Sequence, residues 1–222
     1  MNRLFLVRHG GSTGNMNEKY YAFHDSAVCL TTKGVNQALS TAEVLRGLGG
    51  PTWLKPGNFN VEVFASEYSR AQQTARICLD QMGILSVDPK IRAVLNERNY
   101  GVPFNKGATI DPFSDANGTE SAVRARVRMQ TFVVEIEPLL ERADVLAFSH
   151  EGALQALLAN LRNTPDAQMM KPLPNGGIFL FERTIGTGGA SEWHEVKKLP
   201  SHVLPSAAPT IEPPVNPPAQ AR

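Results

Sequence analysis

Two periods of apolar residues run through the chain. Short apolar runs at residues 4–7, 61–65, 84–87 and 145–148 have the make-up of strands buried inside a sheet. Between them the spacing turns helical. Over 32–48 the apolar positions are Val35, Ala38, Leu39, Ala42, Leu45 and Leu48, one stripe of a helix that Thr31 can cap and that Gly49 and Gly50 end. Ala71, Thr74, Ala75, Cys78 and Met82 mark a second helix, residues 119–142 a long third, and residues 153–161 a fourth. Runs at 178–181 and 193–197 close the sheet, while 10–30 and 96–118 lack either period and read as loops. Strands that alternate with helices predict an α/β fold: a three-layer sandwich whose largely parallel central sheet is flanked by helices. The domain spans 1–199. From Pro200 the chain turns Pro- and Ala-rich, which predicts a disordered tail over 200–222 that is either passive or a weak docking segment for a Pro-binding partner.

Composition adds mostly exclusions. A formal net charge of +1 gives no bulk electrostatic reason to expect nucleic acid or a membrane surface as partner. No apolar run reaches the roughly 18 residues of a membrane span, and the N-terminus lacks a signal-peptide pattern, so a cytoplasmic protein is expected. Cys29 and Cys78 are far apart in sequence and are read as buried or partly buried thiols in a reducing compartment.

The chemistry gathers where strands end. The first strand runs into Arg8-His9-Gly10, the second into Ser66-Glu67-Tyr68-Ser69-Arg70, and the one at 145–148 into Ser149-His150-Glu151-Gly152. In a parallel sheet these carboxyl ends share one edge, the edge at which open α/β sheets bind ligands. Two arginine forks fit the oxygens of a dianionic phosphoryl group. Helix N-termini add backbone donors. A neutral histidine, with a reference pKa of about 6.5, can attack phosphorus, while the second histidine and the arginines stabilise charge on the equatorial oxygens. No carboxylate cluster accompanies the histidines, so no metal is expected. Glu97, in the loop LNERNYG, is the candidate acid for the leaving group and base for water. Tyr20, Tyr21 and Phe23 either line the mouth or pack on the domain, and His24 is read as a surface residue. Arg124, Arg126 and Arg128 cannot all face one way on a helix, and most are read as solvated.

These stretches resemble the histidine phosphatase superfamily, which includes the cofactor-dependent phosphoglycerate mutases. LVRHGGSTGN at 6–15, SEYSRAQQTA at 66–75, LNERNYG at 95–101 and FSHEGALQAL at 148–157 carry the likeness, with a weaker GTES at 118–121. The resemblance implies His9 as the phosphorylated nucleophile, Arg8, Arg70 and His150 as binders of the phosphoryl group with Asn15 at the rim, and Glu97 as proton donor. Two positions depart from the family pattern. Gly11 stands where relatives carry Glu or Gln, and Glu151 where they often have Gly or Asn. One expectation is that Glu151 partly replaces the missing side chain electrostatically; the other is that both positions face solvent.

The acid loop resembles the mutase version, so Arg98, Tyr100 and Lys106 are candidates to bind a substrate carboxylate. Yet only about a dozen residues separate Lys106 from Thr119, without the paired arginines of mutases. A short lid admits water to a phosphoenzyme. The expectation is therefore a phosphatase acting on a small phosphorylated metabolite without a cofactor. The alternatives are a mutase, which would use 2,3-bisphosphoglycerate, and a catalytically weak phosphate-binding or scaffold module.

Overall fold

The computed structural model describes residues 3–16, 25–49, 53, 60–101, 113–115 and 118–199. Tyr20, Tyr21, Phe23, His24, Asn105, Lys106, His202 and the 200–222 tail lie outside the described residues. Among those described, no helix is long and apolar enough to cross a membrane.

Strand β1 (Arg3–Arg8) leads through the short helix α1 (Thr13–Met16) to α2 (Thr32–Gly49). Then come β2 (Val61–Ala65), α3 (Ser69–Met82), the two-residue β3 (Lys90–Ile91), α4 (Ala122–Ile136), β4 (Asp144–Ser149) and α5 (Glu151–Leu161). A hairpin of β5 (Ile178–Ile185) and β6 (Ser191–Leu199) completes the sheet. The strand order is β3-β2-β4-β1-β5-β6; the first four strands are parallel, and β5 pairs antiparallel with both β1 and β6. The sheet is largely parallel, as expected.

Alternation along the strands builds two cores. Leu4, Leu6, Val145, Ala147, Phe179 and Phe181 face α4 and α5 in one layer. Phe5, Val7, Val63, Leu146, Phe148 and Leu180 face α2 and α3 in the other. The central strands β1 and β4 are buried on both faces, which is why they read as unbroken apolar runs.

Four expectations change. Residues 84–87 are not a strand. Gly83 adopts the left-handed conformation (φ 77°) at the end of α3. The Gly83 N–H donates to the Asp80 carbonyl, and the Ile84 N–H to Leu79. That is a Schellman cap whose apolar plug, Ile84, is fully buried. The apolar residues there seal a helix end, and the strand comes later, at Lys90–Ile91.

The long helix is shorter than its apolar pattern. It starts after Ser121, whose side chain accepts from the Arg124 N–H, and stops before Pro138, which carries no N–H to continue the ladder. Arg126 and Arg128 on that helix are not solvated-face residues. Arg126 binds Asn160, the Thr164 carbonyl and Asp166, while Arg128 grips Glu120 through Nε (2.6 Å) and Nη2 (2.7 Å). Finally, Cys78 is buried but Cys29 is exposed.

The amino end of β4 carries an anchor that the sequence pattern did not flag. Buried Asp144 accepts the Arg3 N–H (2.7 Å), the Arg3 guanidinium (2.7 Å) and the Trp53 indole N–H (2.7 Å). Trp53 is itself buried, edge-on against Phe5 with ring centroids 4.8 Å apart. Asp144→Ala leaves three donors, two on partly buried Arg3 and one on buried Trp53, without their acceptor. Urea unfolding is expected to show a loss of about 3 kcal/mol; a loss below about 1 kcal/mol would reduce this anchor to a surface pair.

Candidate active site

Strand register brings the site together. Val7 and Ala65 both pair with Phe148, and Arg8 pairs with Ser149. One residue further on, Ser66, His9 and His150 stand in adjacent rows, tied by His9 N–H to the Ser149 carbonyl (3.0 Å) and Ser66 N–H to Phe148 (3.1 Å). The rings of His9 and His150 stand with centroids 5.0 Å apart. Arg70 enters from the first turn of α3, Arg8 from the end of β1, and Glu97 from the loop after β3. Arg8, His9, Arg70 and His150 are all buried, so the residues predicted to converge do so inside the protein.

His9 has a defined tautomer. Its Nδ1 lies 2.6 Å from the Gly10 carbonyl, which only accepts, so Nδ1 carries the proton. Its Nε2 receives the Arg70 Nε–H at 3.2 Å, and an arginine only donates, so Nε2 keeps its lone pair. Burial, then the positive charges of Arg70 and Arg8, hold the His9 pKa well below the ordinary value. The ring is a neutral base with its nucleophilic nitrogen set against a cation. The loop that holds it packs backbone to backbone on α2: a Cβ on Gly10 would lie 2.3 Å from the Gly34 carbonyl oxygen. Thr31 caps α2 at the Gly34 N–H (3.1 Å) and donates to the Gly11 carbonyl (3.0 Å).

Among the described residues, Glu97 is tied by one oxygen only. Oε1 accepts the N–H of Arg98 (2.8 Å) and of Ala153 (3.2 Å) in the first turn of α5. Desolvation of the carboxyl raises its pKa and outweighs those hydrogen bonds and the pull of Arg70 and Arg8. A carboxyl that stays protonated closer to neutrality suits an acid. Arg98 is buried with its guanidinium over the Tyr100 ring at 4.8 Å, and burial raises the Tyr100 hydroxyl pKa. Asn15 is exposed at the rim. Its Oδ1 receives the Ser12 N–H, the Ser12 hydroxyl and the Asn175 amide, which turns its NH2 group the other way. His194 is remote on β6, against Thr184.

Several partners were not legible in the sequence. Glu151 and Gly11 take different partners. The Gly11 N–H donates to Gln37 (2.7 Å), whereas Glu151 pairs with Arg8 (Nη2 to Oε2, 3.0 Å) and accepts the Leu173 N–H (2.9 Å). Arg8 also donates to the Leu173 carbonyl. Glu151 thus clamps a site arginine to the segment before β5. Asn175 donates to the His9 carbonyl (3.2 Å), and its PNGG context was the available signal. A cavity of about 600 Å³, lined in part by Gly11, Asn15, Thr31, Lys33, Gln37 and Asn175, opens beside this loop. Among the described residues, no three His, Cys, Asp or Glu side chains gather to hold a metal ion.

The profile of the histidine phosphatase superfamily (branch 1) matches residues 4–195. The chain belongs to that superfamily. A 2,3-bisphosphoglycerate-dependent phosphoglycerate mutase of Azorhizobium caulinodans is 30% identical over 197 residues, 80% of this chain and 90% of the relative. A probable phosphoglycerate mutase of an Enterobacter species is 31% identical over 74% of this chain and 77% of its own. The fold matches a mycobacterial glucosyl-3-phosphoglycerate phosphatase (TM-score 0.68, 23% identity, 89% and 98% of the two chains). It also matches a phosphoserine phosphatase of Entamoeba histolytica (TM-score 0.65, 18% identity, 89% and 96%).

Gly152 explains how the acid loop closes over α5. A Cβ there would lie 2.7 Å from the Tyr100 hydroxyl, 2.8 Å from Glu97 Oε1 and 3.2 Å from Arg98 Cβ. The first two obstacles are ends of side chains, which can swing aside. Gly152→Ala should therefore spare the fold and displace the Glu97 carboxyl. Hydrolysis of an aryl phosphate is expected to fall about 100-fold, with the urea midpoint nearly unchanged; full activity in this variant would remove Glu97 from its assigned place.

Proposed function

We propose that the chain is a phosphatase that hydrolyses a phosphate monoester of a small metabolite through a phosphohistidine at His9. The observation that carries this reading is the His9 ring itself: neutral, with Nδ1–H on Gly10 and the Nε2 lone pair facing Arg70. In the first half-reaction Nε2 bonds to phosphorus as the ester P–O bond breaks, and Glu97 gives its proton to the departing oxygen. Arg8, Arg70 and His150 surround the equatorial oxygens. In the second, the Glu97 carboxylate takes a proton from water. The hydroxide so formed bonds to phosphorus, the P–N bond breaks, and inorganic phosphate leaves with His9 neutral again. Asn15 at the rim and the buried Arg98–Tyr100 pair complete the set of residues assigned to substrate.

A mutase reading has two observations in its favour, the likeness of the LNERNYG loop to the mutase version and the names of the curated relatives. In it the phosphoenzyme is primed by 2,3-bisphosphoglycerate and returns its phosphoryl group to the organic intermediate. Hydrolysis is preferred because the chain between Lys106 and Thr119 is short, which favours water at the phosphoenzyme.

Incubation with 3-phosphoglycerate, with and without 2,3-bisphosphoglycerate, separates the two. Release of inorganic phosphate without 2-phosphoglycerate supports the hydrolase; bisphosphoglycerate-dependent formation of 2-phosphoglycerate replaces it with the mutase. A panel of phosphorylated metabolites then locates the substrate. His9→Ala is expected to reduce turnover by on the order of 10⁴-fold or more. A His9→Ala variant as active as wild type would exclude the phosphohistidine.

The pH profile follows from the two shifts. His9 is depressed, so its neutral form is lost only as pH falls through a value below its ordinary one. Glu97 is raised, so its acid form is lost as pH rises through a value above the ordinary carboxyl. A bell is expected, and Glu97→Gln should lower kcat about 10²- to 10⁴-fold and remove Glu97's contribution to the alkaline limb. An alkaline limb unchanged in Glu97→Gln would assign the acid elsewhere.

A further inference from the structure

His150 is held by a chain of hydrogen bonds whose direction can be read from one end. The exposed Glu67 carboxylate accepts the Asn96 amide N–H (Oε2 to Nδ2, 2.7 Å), which fixes the amide orientation. Asn96 Oδ1 then faces the Glu67 backbone N–H (3.0 Å) and the Ser66 hydroxyl (2.9 Å). An amide oxygen only accepts, so the single Ser66 proton lies on the Asn96 side. The two Ser66 lone pairs remain. One takes the Tyr68 N–H (3.1 Å), and the other faces His150 Nε2 at 2.8 Å. His150 must therefore donate from Nε2. Reversing the last bond would press the Ser66 and Asn96 oxygens together, lone pair to lone pair, at 2.9 Å.

The consequence falls on the other nitrogen. His150 is fully buried, and its Nδ1 has no hydrogen-bond partner among the described residues. With Nε2 protonated, a neutral ring carries its lone pair at Nδ1. A lone pair repels a phosphate oxygen; a proton attracts it.

We propose that Asn96 and Ser66 are positioning residues that hold His150 as the Nε2–H tautomer, so that Nδ1 meets the phosphoryl group and takes up the proton of an incoming phosphate monoanion. The proposal rests on the phosphoryl-transfer reading of this site. The proton count balances: a singly protonated phosphate monoester, or doubly protonated inorganic phosphate, and a neutral imidazole become a phosphate dianion and an imidazolium, joined by an Nδ1–H···O bond. The surroundings agree. Arg8 and His9 face His150 from the end of β1, Arg70 from α3 and Arg128 from α4, and with burial they keep the empty ring neutral. Glu97 lies at the Ala153 N–H just beyond it, and the Tyr68 ring meets it edge-on. Only an arriving anion offsets the repulsion among those cations.

The test reads protons directly. Long-range proton–nitrogen NMR of the full chain, labelled with nitrogen-15 histidine, separates the two tautomers. Wild type without ligand is expected to show His150 as Nε2–H with a bare Nδ1, and saturation with inorganic phosphate should protonate both nitrogens. Ser66→Ala and Asn96→Leu should mix the tautomers and weaken phosphate by on the order of tenfold. Asn96→Asp combined with Glu67→Gln, which keeps an acceptor for the Ser66 hydroxyl and a donor–acceptor pair at the 2.7 Å contact, should restore the single tautomer. An Nδ1–H tautomer in wild type overturns the proposal. So does an unmixed Nε2–H tautomer in Ser66→Ala, or a His150 that stays neutral with phosphate bound. Because the ligand-free spectrum needs no turnover, the two readings fail separately. An inert protein with an Nε2–H His150 sinks the phosphatase alone, and an active enzyme with an Nδ1–H His150 sinks the relay alone.

Discussion

The parallel register of β2, β4 and β1 is the constraint on which the rest depends. It ends three strands within a residue of one another, with Ala65 beside Phe148 and Arg8 beside Ser149. The next residue of each chain segment then has nowhere to go but the same edge. Ser66, His9 and His150 meet because a hydrogen-bond ladder delivers them, and two apolar cores hold that ladder from either face. The precision that phosphoryl transfer would need is supplied by the buried centre of the sheet.

The two histidines carry opposite tautomers of the same ring. His9 has its proton on Nδ1, held by a carbonyl in its own loop. His150 has its proton on Nε2, held by a serine on the neighbouring strand. Each therefore presents one unprotonated nitrogen inside a shell of arginines, which is the state that burial among cations favours. In the proposed reaction one lone pair attacks phosphorus and the other takes a proton. Chemically equal side chains acquire unequal roles through the group behind them, a carbonyl in one case and a hydroxyl with its own fixed donor in the other.

Most of the architecture was legible because buried parallel strands and amphipathic helices have distinct periods. What was not legible followed from local geometry that periodicity does not encode. The apolar run at 84–87 carried a strand signature but serves as the plug of a Schellman cap. The arginines of α4 looked like a solvated face, since nothing in the spacing says that Glu120 and Asp166 come round to meet them. In the site, residue types and strand ends sufficed to gather Arg8, His9, Arg70 and His150. The partners that orient them did not stand out. Ser66 and Asn96 are ordinary polar residues whose meaning is set by a hydrogen-bond direction, and Glu151 departs from a pattern for a reason visible only once Arg8 lies 3.0 Å away.

That last contact bears on how the site handles charge. A pocket with two unopposed arginines would bind phosphate strongly in every state, substrate, intermediate and product alike. Such uniform binding lowers KM without raising kcat, and it slows product release. Glu151 takes one end of the Arg8 fork and the Leu173 carbonyl takes another, and buried Nε has no partner among the described residues. Arg8 is thereby oriented by the protein rather than by the ligand, and part of its field is already answered. If His150 becomes cationic only with an anion present, the positive charge of the pocket rises when phosphate arrives and falls when it leaves. A site built this way reserves its strongest electrostatics for the occupied state, where charge on the transferring group develops.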